Sequence, residues 1–174
     1  MSKIKTPRLV LRQFGPSDLN SIFAGLSNKD VIKYYGVKFD SLETTKEQME
    51  WYSSLEKNST GKWWAVCDKF SDDFMGAIGL NDIDKKSKKG EVGFWLLPQN
   101  WRKGYIREAM PEVINYGFST VGLHRIEAWV ESGNKSCKQT LKALGFQQEG
   151  TLRDCEIKDG KFISLDVYSV INNL

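Results

Sequence analysis

The sequence predicts a single α/β domain over residues 1–174, with a mixed, mostly antiparallel sheet of about seven strands flanked by about four helices. The length of 174 residues fits one domain with a core of its own. The hydrophobic fraction of 40% and the charged fraction of 27% are typical of a globular chain. Hydrophobic patterns of strand and helix period follow one another in the order β-α-α-β-β-β-α-β-α-β-β.

The first third of the chain contains one predicted strand and two predicted helices. Residues 7–14 (PRLVLRQF) alternate between apolar and polar side chains, which predicts a strand. Ser17 and Asp18 precede residues 19–26, whose apolar side chains share one helical face, so we expect them to cap that helix. Helical spacing also predicts a helix over residues 44–58.

Three predicted strands follow in series, at residues 62–68, 74–83 and 91–97. Between the last two, residues 84–90 (DKKSKKG) carry four lysines and predict an exposed hairpin turn. The strand at 91–97 (EVGFWLL) is apolar on both faces, which is typical of a strand in the middle of a sheet.

The segment after this strand combines a cation-rich turn with a helical pattern. Pro111 is costly in the interior of a helix, so the regular helix is predicted to begin near Arg107 or Glu108. Helix N-termini carry unpaired N–H groups and partial positive charge. The junction at residues 92–119 is therefore where we expect a ligand site.

The last third of the chain predicts a strand, a helix and a hairpin. Residues 124–131 have the pattern of a strand, and residues 132–146 that of a loop and a helix. Gly145 is placed as the C-terminal stop of this helix. Two final strands flank the turn Lys158-Asp159-Gly160, because Asp-Gly is a strong hairpin signal.

Composition narrows the possible classes of function. Lys and Arg number 25 against 22 Asp and Glu, and the resulting net charge of +3 is too weak to imply nucleic acid. The three cysteines (Cys67, Cys137, Cys155) are widely spaced without a CxxC pair, so no disulfide framework or zinc site is expected. His124 is the only histidine, which argues against a metal cluster built on histidines. Residues 1–9 lack the apolar core of a signal peptide, so we expect a cytoplasmic protein without a membrane anchor.

Residues 101–107 (WRKGYIR) place three cations around one glycine directly behind the apolar strand. One interpretation is a solvated start of the following helix. The other is a cradle for phosphates, in which Gly104 lets the backbone approach a ligand and the N–H groups of residues 103–107 face it. As a bare pattern, one glycine among cations does not decide between the two.

Two segments together favour the phosphate interpretation. Residues 101–106 (WRKGYI) align with the pattern Q/R-x-x-G-x-G/A, and downstream come Asn134, LGF at 144–146 and EG at 149–150. The opening TPRL, the run EVGFWLLPQNWRKGY and the late EIKDGK hairpin accompany them. With these features the chain resembles the GCN5-related N-acetyltransferase (GNAT) superfamily along essentially its whole length. Within that superfamily it is most similar to the ribosomal-protein N-terminal (RimJ/RimL-like) acetyltransferases.

The resemblance implies acetyl-CoA as cosubstrate and no metal. The pyrophosphate is expected on the backbone of the 101–107 turn, and the pantetheine arm along a splayed strand. Two residues depart from the family pattern: Arg102 replaces a frequent glycine, and the β-branched Ile106, which replaces Gly or Ala, is expected to narrow the approach. The expected cofactor-binding residues are Phe94, Trp95, Leu96, Arg102, Lys103, Gly104, Tyr105, Ile106, Arg107 and Asn134.

The implied activity is transfer of acetyl from acetyl-CoA to a primary amine. The favoured acceptor is the N-terminal α-amine of a protein such as a ribosomal protein. The alternatives are a small amine (a polyamine, amino sugar or antibiotic) and a non-catalytic protein that binds CoA, and both a monomer and a homodimer are compatible. Acceptor choice is expected to depend on residues 31–43 and 152–162, with Tyr34 and Tyr35 in contact with the substrate.

The resemblance also implies catalytic roles. Glu156 matches the carboxylate that acts as general base, Glu91 is its rival, and Asp154 is a third choice. Many members of the family protonate the leaving thiolate from a tyrosine, but Leu141 stands at that position here. The subgroup uses a serine three residues after the asparagine, where this chain has Cys137, a weaker donor.

Overall fold

One eight-stranded sheet organises the chain in the computed structural model, which describes residues 3–173. The strands are β1 (Ile4–Lys5), β2 (Leu9–Arg12), β3 (Lys62–Asp68), β4 (Phe74–Asp84), β5 (Lys89–Leu96), β6 (Arg125–Glu131), β7 (Gln147–Lys158) and β8 (Lys161–Ile171). The helices are α1 (Leu19–Leu26), α2 (Lys29–Ile32), α3 (Leu42–Lys57), α4 (Tyr105–Asn115) and α5 (Lys135–Ala143). The strand order is β1-β2-β3-β4-β5-β6-β8-β7, and the pairs are antiparallel except β5–β6, which is parallel.

The predicted α/β fold is confirmed. The predicted strands and helices are present, and within residues 3–173 the additional β-strand and α-helix are the two-residue β1 and the four-residue α2. Both are too short to produce a hydrophobic period, so the sequence pattern did not reveal them. Strand β5 lies inside the sheet between β4 and β6, as its two apolar faces predicted. Within residues 3–173, no helix is both long and apolar enough to cross a bilayer.

Alternation along β5 sends side chains into two cores, one on each face of the sheet. Val92 and Leu96 pack with Met110 of α4 and Leu141 of α5. Trp95 points to the opposite face and belongs to the core formed with α1 and α3. The sheet is therefore covered by α4 and α5 on one side and by α1–α3 on the other.

The start of α1 differs from the prediction. Asp18 ends a 3-10 turn, and its carboxylate accepts hydrogen bonds from the Gly15 N–H at 2.8 Å and from two nitrogens of Arg12 at 2.9 Å. Among the described residues α1 has no side-chain cap, so the predicted cap is wrong. A bidentate guanidinium is a stronger partner for a buried carboxylate than an amide N–H. The same contact raises the pKa of Arg12.

The helix after β5 begins earlier than predicted. It starts at Tyr105 and contains Pro111 in its interior, so the predicted start near Arg107 or Glu108 is wrong. Gly104 adopts left-handed backbone angles (φ 79°, ψ 11°) that turn the chain directly into the helix. Pro111 is exposed, so the Arg107 carbonyl, which loses its helical N–H partner there, can bond to water instead.

Strands β5 and β6 are joined over only part of their length. Their parallel register ends at the pair Glu91–Glu127. Beyond this pair β5 continues to Leu96 along β4, while β6 continues to Glu131 along β8. The two strands therefore diverge and leave a gap in the sheet. Because α4 follows β5 and α5 follows β6, both helices begin at this end.

Candidate active site

The turn into α4, residues 102–107, forms a cradle of backbone N–H groups. Gly104 is the N-cap and has no side chain, so no side chain caps the first N–H groups of the helix. Arg102, Lys103 and Arg107 are exposed around it. A Cβ on Gly104 would have the Arg8 guanidinium, at 3.6 Å, as its neighbour within 4 Å. The cradle is thus open and positively charged, which fits a pyrophosphate.

Arg102 and Ile106, the two departures from the family pattern, have different consequences. Arg102 adopts φ 60°, in the left-handed region that glycine tolerates and other residues adopt with strain. Ile106 is only 9% exposed and packs in the core with α4 and α5. Its side chain therefore points away from the cradle, and the expected narrowing of the approach is wrong.

Arg8 is a cation of the cradle that the sequence did not reveal. Its Nη1 donates to the Lys103 carbonyl at 2.9 Å, across a separation of 95 residues. Its Nε donates to Glu108 at 2.6 Å, and its guanidinium lies 4.6 Å from the centre of the Tyr105 ring. Arg8 thereby links the start of β2 to the first turn of α4, and only the fold brings them together.

The main chain of Phe94 and Leu96 lines the β5 side of the gap. The Leu97 N–H donates to the Met75 carbonyl at 2.9 Å, and alternate residues of a strand bond to the same neighbour. Backbone groups of Phe94 and Leu96 therefore face away from β4, into the gap. Those of Trp95 face β4, and its indole is buried. Of the three predicted residues on this strand, Trp95 is the one directed away from the gap.

Asn134 and Cys137 lie at the first turn of α5, which follows the other strand of the gap. The Asn134 Oδ1 accepts from the Cys137 N–H at 3.2 Å, so Asn134 is the N-cap of α5. A bond from this side chain to a cofactor would therefore come from its amide nitrogen. Burial raises the pKa of the Cys137 thiol to about 12. At neutral pH this thiol is protonated, so it can donate a hydrogen bond but is not a thiolate nucleophile.

Glu91 lies on β5 at the pair where β5 and β6 begin to diverge. It alternates with Val92, so its side chain is on the face of the sheet covered by α1–α3. Burial raises the pKa of Glu91 to about 7 from an ordinary value of 4.5. Three negative charges add to this increase: Asp82, Glu127 and Glu156. A carboxyl group with this pKa is suited to act as a base near neutral pH.

Glu156 lies on β7 with its side chain exposed. The register of β7 breaks between Leu152 and Glu156, and Asp154 lies inside the break, where its N–H donates to the Ser164 hydroxyl at 3.0 Å. The negative charge of Glu156 acts on Glu91. The fold thus brings together the two carboxylates that compete for the role of base.

Tyr34 and Tyr35 follow α2 and occupy different places. The Tyr34 hydroxyl lies 3.4 Å from the position that a Cβ on Gly133 would occupy, so Tyr34 lies against the loop after β6. Tyr35 packs against the core formed with α1 and α3. Burial raises the pKa of Tyr35 well above its ordinary value, and the charges of Tyr52 and Glu91 add to the increase. Tyr35 and Glu91 therefore belong to one side of the site.

Residues 8–147 match the protein family described as acetyltransferase (GNAT) domain. The chain is 33% identical over 169 residues to the uncharacterized N-acetyltransferase YoaA of Bacillus subtilis (strain 168). That similarity covers 97% of this chain and 96% of YoaA.

Solved structures resemble the fold over nearly the whole chain. RimL, a ribosomal L7/L12 alpha-N-protein acetyltransferase in complex with coenzyme A, has a TM-score of 0.88 at 18% identity and covers 98% of both chains. Spermidine N-acetyltransferase from Vibrio cholerae, in complex with CoA and spermine, has a TM-score of 0.83 at 21% identity over 94% of this chain and 95% of that chain. At these identities the likeness establishes the fold. The family match and the similarity to YoaA show that the chain belongs to the GNAT acetyltransferase family and is an acetyl-CoA-dependent N-acetyltransferase.

Proposed function

We propose that this N-acetyltransferase modifies the N-terminal α-amine of a protein and that Glu91 is its general base. The observation that carries the proposal is the partly buried Glu91 beside the gap, with its pKa raised to about 7. Only a neutral amine has the lone pair that attacks a thioester carbonyl. An α-amine has a pKa of about 7.7–8.0, so a base of this strength is matched to removing its proton.

The same base is less suited to an aliphatic amine. A lysine-like amine has a pKa of about 10.4, so transfer of its proton to Glu91 is unfavourable by about 4–5 kcal/mol. The primary amines of a polyamine fall in that chemical class. The fold is shared with acetyltransferases whose names describe either kind of acceptor, so the preference for an α-amine rests on Glu91.

The remaining groups of the site fit direct attack by the amine. When bound, acetyl-CoA supplies the acetyl group and a thiol as leaving group. A backbone N–H of Phe94 or Leu96 polarises the carbonyl oxygen from the gap side of β5. Cys137 can donate a hydrogen bond to the departing sulfur, which needs little further help because a thiol has a pKa of about 8.5. The cradle binds the pyrophosphate.

Glu156 has a different role in this proposal. We call the part of the site around Glu91, Glu156, Tyr34 and Tyr35 the acceptor side. The Glu156 carboxylate is exposed, so it adds negative charge there and attracts the ammonium form of the acceptor. The sequence resemblance favoured Glu156 as the base, and that assignment stays a prediction. Substitution of each carboxylate separately distinguishes the two.

Release of CoA thiol from acetyl-CoA tests the function. The acceptors are peptides with a free or a blocked N-terminus, a lysine side-chain analogue, spermidine and an amino sugar. We expect the free α-amine peptides to have the highest kcat/KM. Preferential turnover of spermidine or the amino sugar would reject the acceptor class. Binding of CoA without turnover of any amine would instead support a non-catalytic protein.

A further inference from the structure

A lysine-lined cavity lies beside the acceptor side of the site. Its volume is about 390 Å³, and it opens between the segment around α2 and the turn of the β7–β8 hairpin. Both segments belong to the regions expected to set acceptor choice. The charged residues of its lining are Lys29, Lys33, Lys38, Lys158 and Asp159.

The cavity adjoins the two carboxylates of the acceptor side. Tyr35 contributes to its lining, and the charge of Glu91 acts on the Tyr35 hydroxyl. Lys158 follows Glu156 by two residues on a stretch of β7 that pairs regularly with β8. Side chains two residues apart on a strand point to the same face, about 6–7 Å from each other. Lys158, which lines the cavity, therefore lies next to Glu156 on the same face of β7.

Ion pairs within the chain leave the cavity positively charged. Lys158 donates to Glu131 at 3.1 Å and to the Lys33 carbonyl, contacts that fasten the hairpin to the end of β6 and to the segment after α2, so its charge is compensated within the chain. Lys38 pairs with Asp159 at 3.4 Å, but these side chains are 71% and 75% exposed. A pair this exposed contributes little and opens readily for another anion. The other two lysines of the lining add two further charges.

We propose that this cavity selects acceptor peptides with acidic side chains at the second and third positions, an inference that rests on the proposed α-amine acetylation. An extended peptide advances about 3.3 Å per residue. When the terminal amine is held at Glu91 and Glu156, the next two residues therefore reach the level of Lys158. Successive side chains of an extended chain point to opposite sides, so whichever of the two carboxylates faces the cavity contacts the lysines of the lining.

The division of charge across the site favours such an acceptor over a polyamine. The reacting ammonium meets carboxylates, and the groups that follow it meet ammonium ions. A polyamine carries cations along its length, so the lysines repel the part of the molecule that follows the reacting amine. Selection against one acceptor by like charge is a common source of specificity.

Matched peptides test the inference. Two peptides share their length and their first residue, and carry either two Asp or two Lys at positions two and three. KM and kcat are measured at saturating acetyl-CoA, and Kd is measured by calorimetry with CoA in place of acetyl-CoA. We expect KM and Kd about 3- to 10-fold lower for the acidic peptide, with similar kcat. The difference should shrink as salt rises.

Charge reversal in the cavity provides the matched variant. Lys29→Glu combined with Lys33→Glu should abolish or invert the preference for the acidic peptide. The control, Lys85→Glu combined with Lys86→Glu, makes the same change of charge in the β4–β5 turn, where both lysines are exposed. That turn contacts the start of β6, whereas the cavity lies near its end, so the preference should remain.

The outcomes separate this inference from the proposed function. Turnover of both peptides with equal KM and Kd would overturn the inference and leave α-amine acetylation standing. Lack of turnover and of binding for every peptide would overturn the proposed function itself. Tighter binding of a small amine that carries a phosphate than of the acidic peptide would replace the peptide as occupant of the cavity.

Discussion

The cradle and the acceptor side of the site are built in different ways. The cradle consists of consecutive residues, 102–107, and its donors are backbone N–H groups at the start of one helix. The proposed acceptor side takes Glu91 from β5, Glu156 from β7, and Tyr34 and Tyr35 from the loop after α2. Its geometry therefore depends on how three segments, distant in sequence, pack together.

The cradle and the acceptor side should therefore respond differently to amino-acid substitution. Backbone donors survive most side-chain substitutions, so the cradle should respond only to changes that block the approach of a ligand or alter the backbone angles. Side-chain chemistry is lost with one substitution, so the acceptor side should contain the single most damaging position. Five predictions test whether the two parts of the site differ in this way.

Glu91→Gln should cause the largest loss of activity. The substitution keeps the shape of the side chain and removes its basicity, so kcat at pH 7 should fall by about 10²–10³-fold in thiol release. Glu156→Gln is the matched control on the exposed strand β7, and we expect a loss of less than about tenfold for a screened surface charge. The reverse order of the two losses would assign the role of base to Glu156.

The pH dependence of Glu91→Gln has a defined sign. Folding raises the pKa of Glu91 from 4.5 to about 7, so the folded protein binds more protons between these pH values and its stability falls as pH rises through them. The variant should therefore be more stable than the parent at pH 8, by about 1–3 kcal/mol, and equally stable near pH 4. Denaturant unfolding at both pH values measures this. The rate of the parent should rise with pH through about 7.

Gly104→Val should weaken binding of CoA to the cradle. The added side chain meets little of the protein, so it occupies the space that the phosphates approach. Gly122→Val is the matched control, since Gly122 has φ 78° against 79° for Gly104 and also has open space around it. Both variants carry the same backbone strain, but only Gly104→Val should raise the Kd for CoA, by about tenfold or 1.4 kcal/mol. If calorimetry gives equal Kd values for CoA in Gly104→Val and Gly122→Val, the pyrophosphate does not bind at this turn.

Cys137 should matter much less than Glu91. Cys137→Ser supplies a better donor, so kcat should stay the same or rise, and Cys137→Ala should lower kcat by no more than about threefold because a thiolate leaves readily. Steady-state kinetics of the three proteins at one pH give the comparison. Loss of turnover in Cys137→Ala, with Glu91→Gln still active, would contradict both assignments and favour covalent catalysis.

Arg102→Gly should have the smallest effect, and it should stabilise the protein. Arg102 adopts φ 60°, and glycine removes the strain of this left-handed conformation. We expect a gain of about 0.5–1 kcal/mol in the free energy of unfolding by urea. Affinity for CoA should fall only a few-fold, since the backbone donors remain. A loss of stability would mean that the guanidinium makes a contact that outweighs the strain.

The features that the sequence predicted correctly are those with a local signature. The periods of the long strands and helices, the turn at Asp159-Gly160 and the helix stop at Gly145 depend on neighbouring residues alone. The cradle also has a local signature, because Gly104 and its cations are contiguous, but its role in binding pyrophosphate stays a prediction. The helix start was predicted wrongly because the penalty for proline inside a helix was judged from the local sequence alone. Whether the freed carbonyl can bond to water depends on the exposure of Pro111, which is set by how α4 packs.

The features that the sequence did not predict depend on packing between distant segments. Arg8 reaches the cradle across 95 residues, and no pattern near it indicates a ligand. Asp18 prefers the guanidinium of Arg12 to the helix that follows it. Glu91 differs from Glu156 in being partly buried, and this burial arises only when α1–α3 pack on one face of the sheet. Residue type alone assigns these carboxylates equal basicity.

Strand β7 is an edge strand of the sheet, and its residues from Gln147 to Ile157 are exposed. An open edge offers unpaired N–H and C=O groups to strands of other molecules, and a long regular edge promotes aggregation. Two register breaks interrupt this edge, after Gln148 and after Leu152, and Asp154 lies in the second. The irregularity that accompanies the carboxylates of the acceptor side therefore also makes β7 a poor template for another strand. Deleting the extra residues at the two breaks, so that β7 pairs with β8 in regular register, would keep the core intact and lower the solubility of the folded protein.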